Sequence, residues 1–163
     1  IIPGVGSFGS AMKYLKLTNT IEKLNDFVKN GKYLLGICLG AQLLLEQSEE
    51  FGYHDGLGYI AGQVIKIPDK KLRVPHVGWS KLIKSKSWEN SVLSKTNENL
   101  ENFYFTHSYY CNANKESILA EFQYFNLKLV AAVQLNNVIG VQFHPELSSS
   151  NGRNIFLNFL NLS

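Results

Sequence analysis

The sequence predicts an α/β domain with an open, mostly parallel sheet that is flanked by helices and extended by antiparallel strands. Three observations lead to this prediction. In the first half, helix-like and strand-like segments alternate, as they do around a parallel sheet. In the second half, strand-like segments follow one another, and an amphipathic helix comes last. The 163 residues, 45% of them apolar and 18% charged, suffice for one domain with one core.

The first half contains two predicted helices, a buried strand and a third helix. A glycine-rich turn leads into a helix at Ser10–Leu17. A second helix begins near Thr20, the expected N-cap, and Asn30-Gly31 stops it. The short apolar run Tyr33–Ile37 is typical of a buried parallel strand. Helix-like sequence follows at once, from Leu39 to Gln47, so this strand is predicted to feed directly into a helix.

The second half is predicted to be rich in strands. The strand-like segments are Gln63–Ile67, Phe103–Tyr110, Ile118–Phe125, Lys128–Gln134 and Val138–Phe143. Asn136-Asn137 is typical of a tight hairpin turn between the last two strands. The polar stretch from Lys84 to Asn102 predicts a surface loop with a short helix. The final helix carries its apolar residues on one face, namely Ile155, Phe156, Phe159 and Leu160.

Composition argues against several classes of protein. The net charge is +3 and the lysines are scattered, so the basic patch typical of nucleic-acid binding is missing. Without a bilayer-spanning apolar run or a signal-peptide pattern, we expect a cytoplasmic protein that has no membrane partner. Two cysteines, Cys38 and Cys111, are fewer than a secreted disulfide scaffold carries, although a bridge between them stays an alternative. The cysteines and histidines lack zinc-like spacing, so no metal site is expected.

The segment Gly36–Gly40 has the pattern Gly-x-Cys-x-Gly between a predicted strand and a predicted helix. This is the arrangement of a nucleophile elbow, with Cys38 in the place of a serine. A thiol here lies at a helix N-terminus, whose dipole favours the thiolate, and the backbone N–H of Leu39 is placed to stabilise an oxyanion. The alternative is a core cysteine flanked by glycines. The strand–turn–helix context favours the catalytic interpretation.

A base and an orienting group for this nucleophile are predicted at Phe143–Glu146, directly after a strand. Pro145 ends that strand, so His144 and Glu146 leave the carboxyl edge of the sheet, where sites lie in open α/β folds. Cys38, His144 and Glu146 then form a predicted triad, in which the carboxylate selects the imidazole tautomer. Taken singly, a structural histidine and a solvated glutamate are the alternatives.

These residues together resemble the signature of the class I glutamine amidotransferases. The signature is Gly-x-Cys-x-Gly-x-Gln, here Gly36–Gln42, followed by His-x-Glu, here His144–Glu146, and the resemblance runs over nearly the whole chain. Three further segments are similar to one subfamily, the glutaminase subunit of imidazole glycerol phosphate synthase from histidine biosynthesis: Pro3–Gly6, Leu72–Trp79 and Phe103–Tyr109. The Pro-His-x-Gly-Trp motif in the second of these segments points to that subfamily.

The resemblance implies that the chain hydrolyses L-glutamine without a cofactor. It implies that Cys38 attacks the side-chain amide and forms a thioester, that His144 protonates the departing ammonia and then activates water, and that Glu146 orients His144. It also implies two further sets of residues. An oxyanion hole would come from the Leu39 N–H and the backbone of Gly4, Val5 and Gly6, and contacts to glutamine from Gln42, Ser108 and Tyr109.

The resemblance further implies a heterodimer in which ammonia passes to a synthase subunit with a (β/α)8 barrel. Trp79 and Leu147 are the predicted contacts with this partner, since aromatic residues anchor interfaces and Leu147 directly follows the candidate carboxylate. Relatives in histidine synthesis usually carry a basic residue at the position of Leu147, so the interface is expected to be apolar here. For Trp79, the alternative is an ordinary core position.

Other functions compatible with the motifs stay open as alternatives. The runner-up is a paralogous glutaminase that supplies ammonia to an amidotransferase modifying surface-polysaccharide sugars, which the departure at Leu147 favours. A non-catalytic module and a γ-glutamyl peptide hydrolase share the fold, but the intact triad disfavours the first and the Pro-His-x-Gly-Trp motif the second. The family has a strand–helix–strand unit before Pro3, so we expect one glutaminase domain over residues 1–163 that is truncated at its N-terminus.

Overall fold

The computed structural model of the protein describes residues 1–68, 73–98 and 100–162. Within these residues the helices are α1 Phe8–Leu17, α2 Thr20–Lys29, α3 Leu39–Leu43 and α4 Ser149–Leu160, with short 3-10 turns at Lys115–Ser117 and Pro145–Leu147. The strands are β1 Leu34–Ile37, β2 Leu45–Ser48, β3 His54–Asp55, β4 Ile60–Lys66, β5 His76–Lys81, β6 Ile83–Lys84, β7 Asn102–His107, β8 Tyr109–Ala113, β9 Ile118–Tyr124, β10 Leu127–Leu135 and β11 Val138–Val141. No helix in these ranges is long and apolar enough to cross a membrane.

The largest sheet, here called the main sheet, has the strand order β1-β11-β10-β9-β6. Strand β1 pairs in parallel with β11, and Ile2 forms a further parallel bridge with Gly36 on the other edge of β1. The remaining pairs of this sheet are antiparallel. Tight turns at Phe125 and Asn136, both with φ of 52°, connect β9, β10 and β11 and make them run antiparallel. The predicted α/β class is confirmed, with antiparallel pairs outnumbering parallel ones among the described strands.

Two smaller sheets complete the described fold, one in the order β3-β2-β4-β8 and one formed by β5 and β7. Strands β7 and β8 are separated by Ser108 alone, although they belong to different sheets. The prediction of one continuous strand over Phe103–Tyr110 is therefore wrong. The chain changes partners at Ser108, because β7 pairs with β5 whereas β8 pairs with β4.

The two faces of the main sheet cover separate hydrophobic cores. The first core contains Phe103, Phe105, Phe122 and Phe143, and the second contains Phe8, Met12, Leu44 and Ile60. Adjacent residues of β1 enter opposite cores, Leu35 the first and Leu34 the second, as the two-residue period of a strand requires. Burial on both faces explains why β1 is apolar throughout, as the sequence predicted.

Three predicted helix boundaries are wrong. Helix α1 begins at Phe8, two residues before the predicted Ser10. The N-cap of α2 is Asn19, in a left-handed conformation with φ of 52°, and Thr20 is the first helical residue instead. Helix α3 ends at Leu43, earlier than predicted, because Leu45–Ser48 forms β2 and pairs with β4. Sheet pairing thus overrides the helical propensity of this leucine-rich segment.

The polar segment after β6 does not form the predicted short helix in its described residues. It runs through turns and buries Trp88, Val92 and Leu93. The Trp88 indole anchors the segment, since its N–H donates to the carbonyl of Leu119 on β9 at 2.9 Å. By contrast, the hairpin turn between β10 and β11 and the final helix α4 are confirmed.

Candidate active site

Cys38 occupies a strained turn between β1 and α3. Its φ of 51° and ψ of −109° lie outside the regions that L-residues ordinarily adopt. The glycines of the motif make this turn possible. A Cβ on Gly36 would lie 2.5 Å from the carbonyl oxygen of Gly40, and a Cβ on Gly40 would overlap the carbonyl of Ile2. The predicted strand–turn–helix elbow is therefore present, and the glycines are required for close approach of the backbone.

His144 lies just beyond β11, at the start of the 3-10 turn Pro145–Leu147. Its backbone is held on both sides, because its N–H donates to the Tyr104 carbonyl at 2.8 Å and its carbonyl accepts from Ser148 Oγ at 2.6 Å. The imidazole Nδ1 lies 2.6 Å from Glu146 Oε1. A carboxylate accepts, so Nδ1 carries the hydrogen and Nε2 is the free acceptor. Nε2 is buried and has no hydrogen-bond partner among the described residues. Its lone pair is therefore available to accept a proton.

Cys38 and His144 line one cavity of about 360 Å³. The other residues in its wall are Gly4, Val5, Gly6, Leu39, Gln42, Glu50, Pro75, Thr106, His107, Ser108 and Tyr109. Every residue predicted for the oxyanion hole and for glutamine binding is therefore brought to this cavity. Glu146 lies behind His144 and is half exposed, whereas Trp79 and Leu147 lie outside the cavity wall.

The thiol of Cys38 is buried, and its protonation differs from the prediction. The pKa of Cys38 is raised to about 11, chiefly by burial, and nearby Glu146 and Glu50 act in the same direction. The Leu39 backbone N–H and the Gln142 amide act in the opposite direction but do not prevail. The expected preference for thiolate is therefore wrong in the free enzyme. Helix α3 has five residues, so its dipole is small beside the cost of desolvating a charge.

Gln142 is a neighbour of the sulfur that was not among the residues predicted for the site. Its Nε2 donates to Cys38 Sγ at 3.7 Å, and its Oε1 accepts from Gln42 Nε2 at 3.1 Å. A signal was available, because Gln142 lies two residues before His144, and side chains two apart in an extended chain point to the same side. Gln42 also donates to the Tyr109 carbonyl at 2.7 Å, so its NH2 group is occupied on both hydrogens.

His107 and Glu50 also line the cavity without having been predicted. His107 donates from Nδ1 to the Tyr109 carbonyl at 3.0 Å, and burial lowers the pKa of His107 to about 3, which keeps the ring neutral. Glu50 lies just after β2, beyond the end of the predicted helix at Gln47, and its Oε2 accepts from the Phe8 N–H at 2.6 Å. It is the one carboxylate among the described residues of the cavity wall.

An exposed apolar surface lies beside the cavity. We call the exposed Val5, Val77, Trp79 and Leu147, together with the half-buried Tyr104, the apolar rim. Trp79 and Leu147 are each 52% exposed, so the core alternative for Trp79 is wrong. The Trp79 ring meets the Tyr104 ring edge to face, with centroids 5.6 Å apart. Leu72, which belongs to one of the motif segments, lies outside the described residues.

Metal and disulfide chemistry find no support in the described ranges. No three His, Cys, Asp or Glu side chains there converge on a point that could hold a metal ion. Cys38 and Cys111 are both free, so the alternative of a bridge between them is wrong.

Comparison with known proteins places these residues in a family. The family of class I glutamine amidotransferases matches residues 1–162. The chain is 42% identical over 163 residues to imidazole glycerol phosphate synthase subunit HisH of Helicobacter hepaticus, covering 99% of this chain and 75% of that protein. It is 42% identical to imidazole glycerol phosphate synthase subunit HisH of Bacillus subtilis, and the match covers 100% of this chain and 77% of that protein. It is 45% identical to subunit HisH 2 of Vibrio vulnificus, and the match covers 98% of this chain and 74% of that protein.

Solved structures agree on the fold. A glutamine amidotransferase crystal structure aligns with a TM-score of 0.68 at 20% identity, covering 98% of this chain and 76% of the other. A glutamine amidotransferase from Thermotoga maritima aligns with a TM-score of 0.64 at 16% identity, covering 98% and 60%. With the motifs, the fold and the relatives in agreement, the chain belongs to the class I glutamine amidotransferases and, among them, to the family of HisH subunits.

Proposed function

We propose that this chain hydrolyses L-glutamine to glutamate and ammonia, as the glutaminase subunit of an imidazole glycerol phosphate synthase. One observation carries the proposal. His144 Nδ1 is bound to Glu146 at 2.6 Å, which leaves Nε2 free in the wall of the cavity that also contains the Cys38 thiol. A nucleophile, a base and an orienting carboxylate in this order are the parts of a hydrolytic triad. The HisH names of the relatives support the choice of enzyme.

Attack by Cys38 starts the reaction. With a pKa of about 11, the thiol is protonated at neutral pH, so its proton passes to His144 Nε2 while sulfur bonds to the amide carbon. Glu146 stabilises the resulting imidazolium through its bond to Nδ1–H. The amide oxygen becomes an oxyanion, which the Leu39 N–H and the backbone of Gly4–Gly6 stabilise.

Three proton transfers complete the cycle. His144 gives its proton to the amide nitrogen and the carbon–nitrogen bond breaks. Ammonia departs, and the acyl group stays bound to Cys38 as a thioester. The imidazole, neutral again, takes a proton from water as the water oxygen attacks the thioester carbon. The carbon–sulfur bond then breaks, the proton passes from His144 to the sulfur, and glutamate leaves.

The cavity has the polar groups that an amino-acid substrate needs. Glu50 offers a carboxylate for the α-ammonium group of glutamine, and the free Oε1 of Gln42 offers a further acceptor. Ser108 and Tyr109 lie where β7 changes to β8, and we assign their backbone to the substrate's head group. These contacts would orient glutamine with its side-chain amide toward Cys38.

We further propose that the apolar rim docks a (β/α)8 synthase subunit. Ammonia must leave the cavity without reaching water, so a partner has to cover this edge. Exposed aromatic residues are frequent anchors of interfaces, and Trp79 and Tyr104 already contact each other there. Leu147 is apolar and half exposed, so the facing residue of the partner is expected to be apolar.

The exposed Leu147 also supports a second candidate function, in which the ammonia serves an amidotransferase that modifies surface-polysaccharide sugars. The two candidates share the glutaminase and differ in the acceptor. Genes of histidine synthesis next to the gene of this chain would support the first, and genes of sugar modification would support the second.

The glutaminase is tested by labelling the purified protein with a diazo-ketone analogue of glutamine and mapping the adduct. We expect one adduct, on Cys38, and its suppression by L-glutamine. Cys38→Ala is the matched control and should stay unlabelled although Cys111 is present. Labelling of Cys111 with Cys38 untouched would contradict the proposal.

The docking surface is tested with the barrel subunit of a histidine-type synthase. Trp79→Ala and Leu147→Lys should each weaken binding about tenfold, because an anchor is lost or a charge is buried. An acidic residue placed opposite Leu147→Lys should restore binding. If neither variant changes affinity or glutaminase activation, the apolar rim is not the docking surface, and the triad is unaffected by that result.

A further inference from the structure

A chain of hydrogen bonds connects Cys38 to Tyr109 and His107, which line the same cavity. Gln142 Nε2 donates to Cys38 Sγ at 3.7 Å, and Gln142 Oε1 accepts from Gln42 Nε2 at 3.1 Å. Gln42 Nε2 also donates to the Tyr109 carbonyl at 2.7 Å, and the same carbonyl accepts from His107 Nδ1 at 3.0 Å. Both glutamines are buried, so solvent does not compete for these bonds.

These bonds determine how both side-chain amides are oriented, and therefore which end of the Gln142 amide faces the sulfur. A carbonyl oxygen accepts and does not donate, so the group of Gln42 that faces Tyr109 must be its NH2. The second hydrogen of this NH2 points to Gln142, whose oxygen therefore faces Gln42. The NH2 of Gln142 is then the end that faces Cys38. Turning either amide over would bring two oxygens or two NH2 groups together.

We propose that Gln142 is a further catalytic residue, which holds Cys38 Sγ with an N–H and stabilises the charge that develops on sulfur during attack. The proposal rests on the proposed glutaminase function and adds a residue to it. Because Gln42 orients Gln142 and also lines the glutamine cavity, the donor at the sulfur is connected to the substrate site. Hydrogen bonds to a charged acceptor are stronger than those to a neutral one, so the bond is strongest while the proton leaves the sulfur and before the carbon–sulfur bond is complete.

The surroundings of the sulfur show why a donor is needed there. The titratable groups around Cys38 are Glu50, His107, Cys111, His144 and Glu146. Burial raises the pKa of the thiol most, and Glu146 and Glu50 raise it as well. His107 stays neutral, and His144 is the proposed proton acceptor. The Leu39 backbone N–H and the Gln142 amide are the groups that favour the thiolate.

The experiment is alkylation of Cys38 by iodoacetamide in the purified protein between pH 7 and 10, followed by peptide mapping. Gln142→Met removes the donor while keeping the length of the side chain. Gln142→Glu keeps the shape and the acceptor for Gln42 but turns an oxygen toward the sulfur. We expect alkylation about tenfold slower in Gln142→Met and slower still in Gln142→Glu at each pH, since a lost donor and an added negative charge both lower the thiolate fraction.

Gln123→Met makes the same chemical change on the exposed side of β9 and should alkylate like wild type. If Gln142→Met does not fold, Gln142→Asn replaces it, since this amide is one methylene too short to reach the sulfur and should also slow alkylation about tenfold. Equal alkylation rates in folded Gln142→Glu and wild type would overturn the proposal. The proposed function has a separate test. If the wild-type protein in complex with a synthase subunit shows no glutaminase activity, that function is overturned, whatever the alkylation rates are.

Discussion

Cys38 and Cys111 are the same residue type, both free and both buried, yet they lie in different surroundings. Cys111 sits within β8 opposite Val64 and packs into the second core. Cys38 lies one residue past β1, in a strained turn, at the wall of the cavity. Burial raises the pKa of both thiols, so burial does not separate them. What separates them is the His144 imidazole on the same cavity, the N–H groups of Leu39 and Gln142 at the sulfur, and an open cavity beside it.

The largest expected effect is on glutaminase activity. Cys38→Ala should lower kcat in the complex by at least about four orders of magnitude, because no other group can form the thioester. Cys111→Ala should leave kcat within about twofold and lower the free energy of unfolding by about 1 kcal/mol, the cost of one lost core atom. Steady-state ammonia release and urea denaturation measure the two effects. Activity retained in Cys38→Ala would remove the distinction between the two thiols.

The next effect concerns the base. His144→Ala should lower kcat by about a thousandfold, because proton transfer to and from the thiol is lost. Glu146→Ala should lower kcat less, by roughly tenfold to a hundredfold. In this variant the imidazole Nε2 can still accept a proton, but the carboxylate that selects the tautomer is lost. Both variants are measured in the presence of the synthase subunit. Equal losses, or a greater loss in Glu146→Ala, would contradict these roles.

A third effect concerns pH. With the pKa of Cys38 raised to about 11, the thiolate fraction falls about tenfold for each pH unit below that value. Alkylation of Cys38 in the free protein should therefore keep rising up to pH 10, whereas a thiol near its ordinary pKa would begin to level off near pH 9. Cys111 should stay unlabelled throughout. A plateau below pH 9 would show that burial does not dominate at the elbow.

The smallest effect is on stability and has opposite signs at the two cysteines. Cys38→Gly should be about 1 kcal/mol more stable than Cys38→Ala, because glycine adopts the φ of 51° without strain. Cys111→Gly should be about 1 kcal/mol less stable than Cys111→Ala, since glycine weakens a strand interior. Denaturant midpoints of the four variants test this. The same sign at both positions would mean that the turn at Cys38 carries no strain.

Much of the site was predictable because its signals are local. The glycines around Cys38 and the His-Pro-Glu segment are short patterns whose chemistry depends on a few neighbours in sequence. Gln142 had such a signal as well, two residues before His144. Glu50 had none, because it reaches the cavity through the position of β2, and that strand was predicted to be helical.

Other features depend on distant parts of the chain. The break at Ser108 exists because β7 and β8 find different partners, β5 and β4, far away in sequence. The protonation of Cys38 depends on how deeply the folded chain buries it, and a helix N-terminus in the sequence does not reveal that depth. Pairing partners and burial are properties of the assembled fold, so short-range patterns do not contain them.

The contact of Gly40 with the Ile2 carbonyl has a consequence for protein engineering. Ile2 leads into the Gly4–Gly6 loop, so this contact, together with the backbone hydrogen bonds of Ile2 to Leu35 and Ile37, fixes the loop close to the elbow. A mutant library that varies Gly36 or Gly40 would consist mostly of misfolded members. A library directed at Val77, Trp79 and Leu147 would change exposed side chains alone, and under the proposed docking surface it is where variants with altered partner binding would be selected.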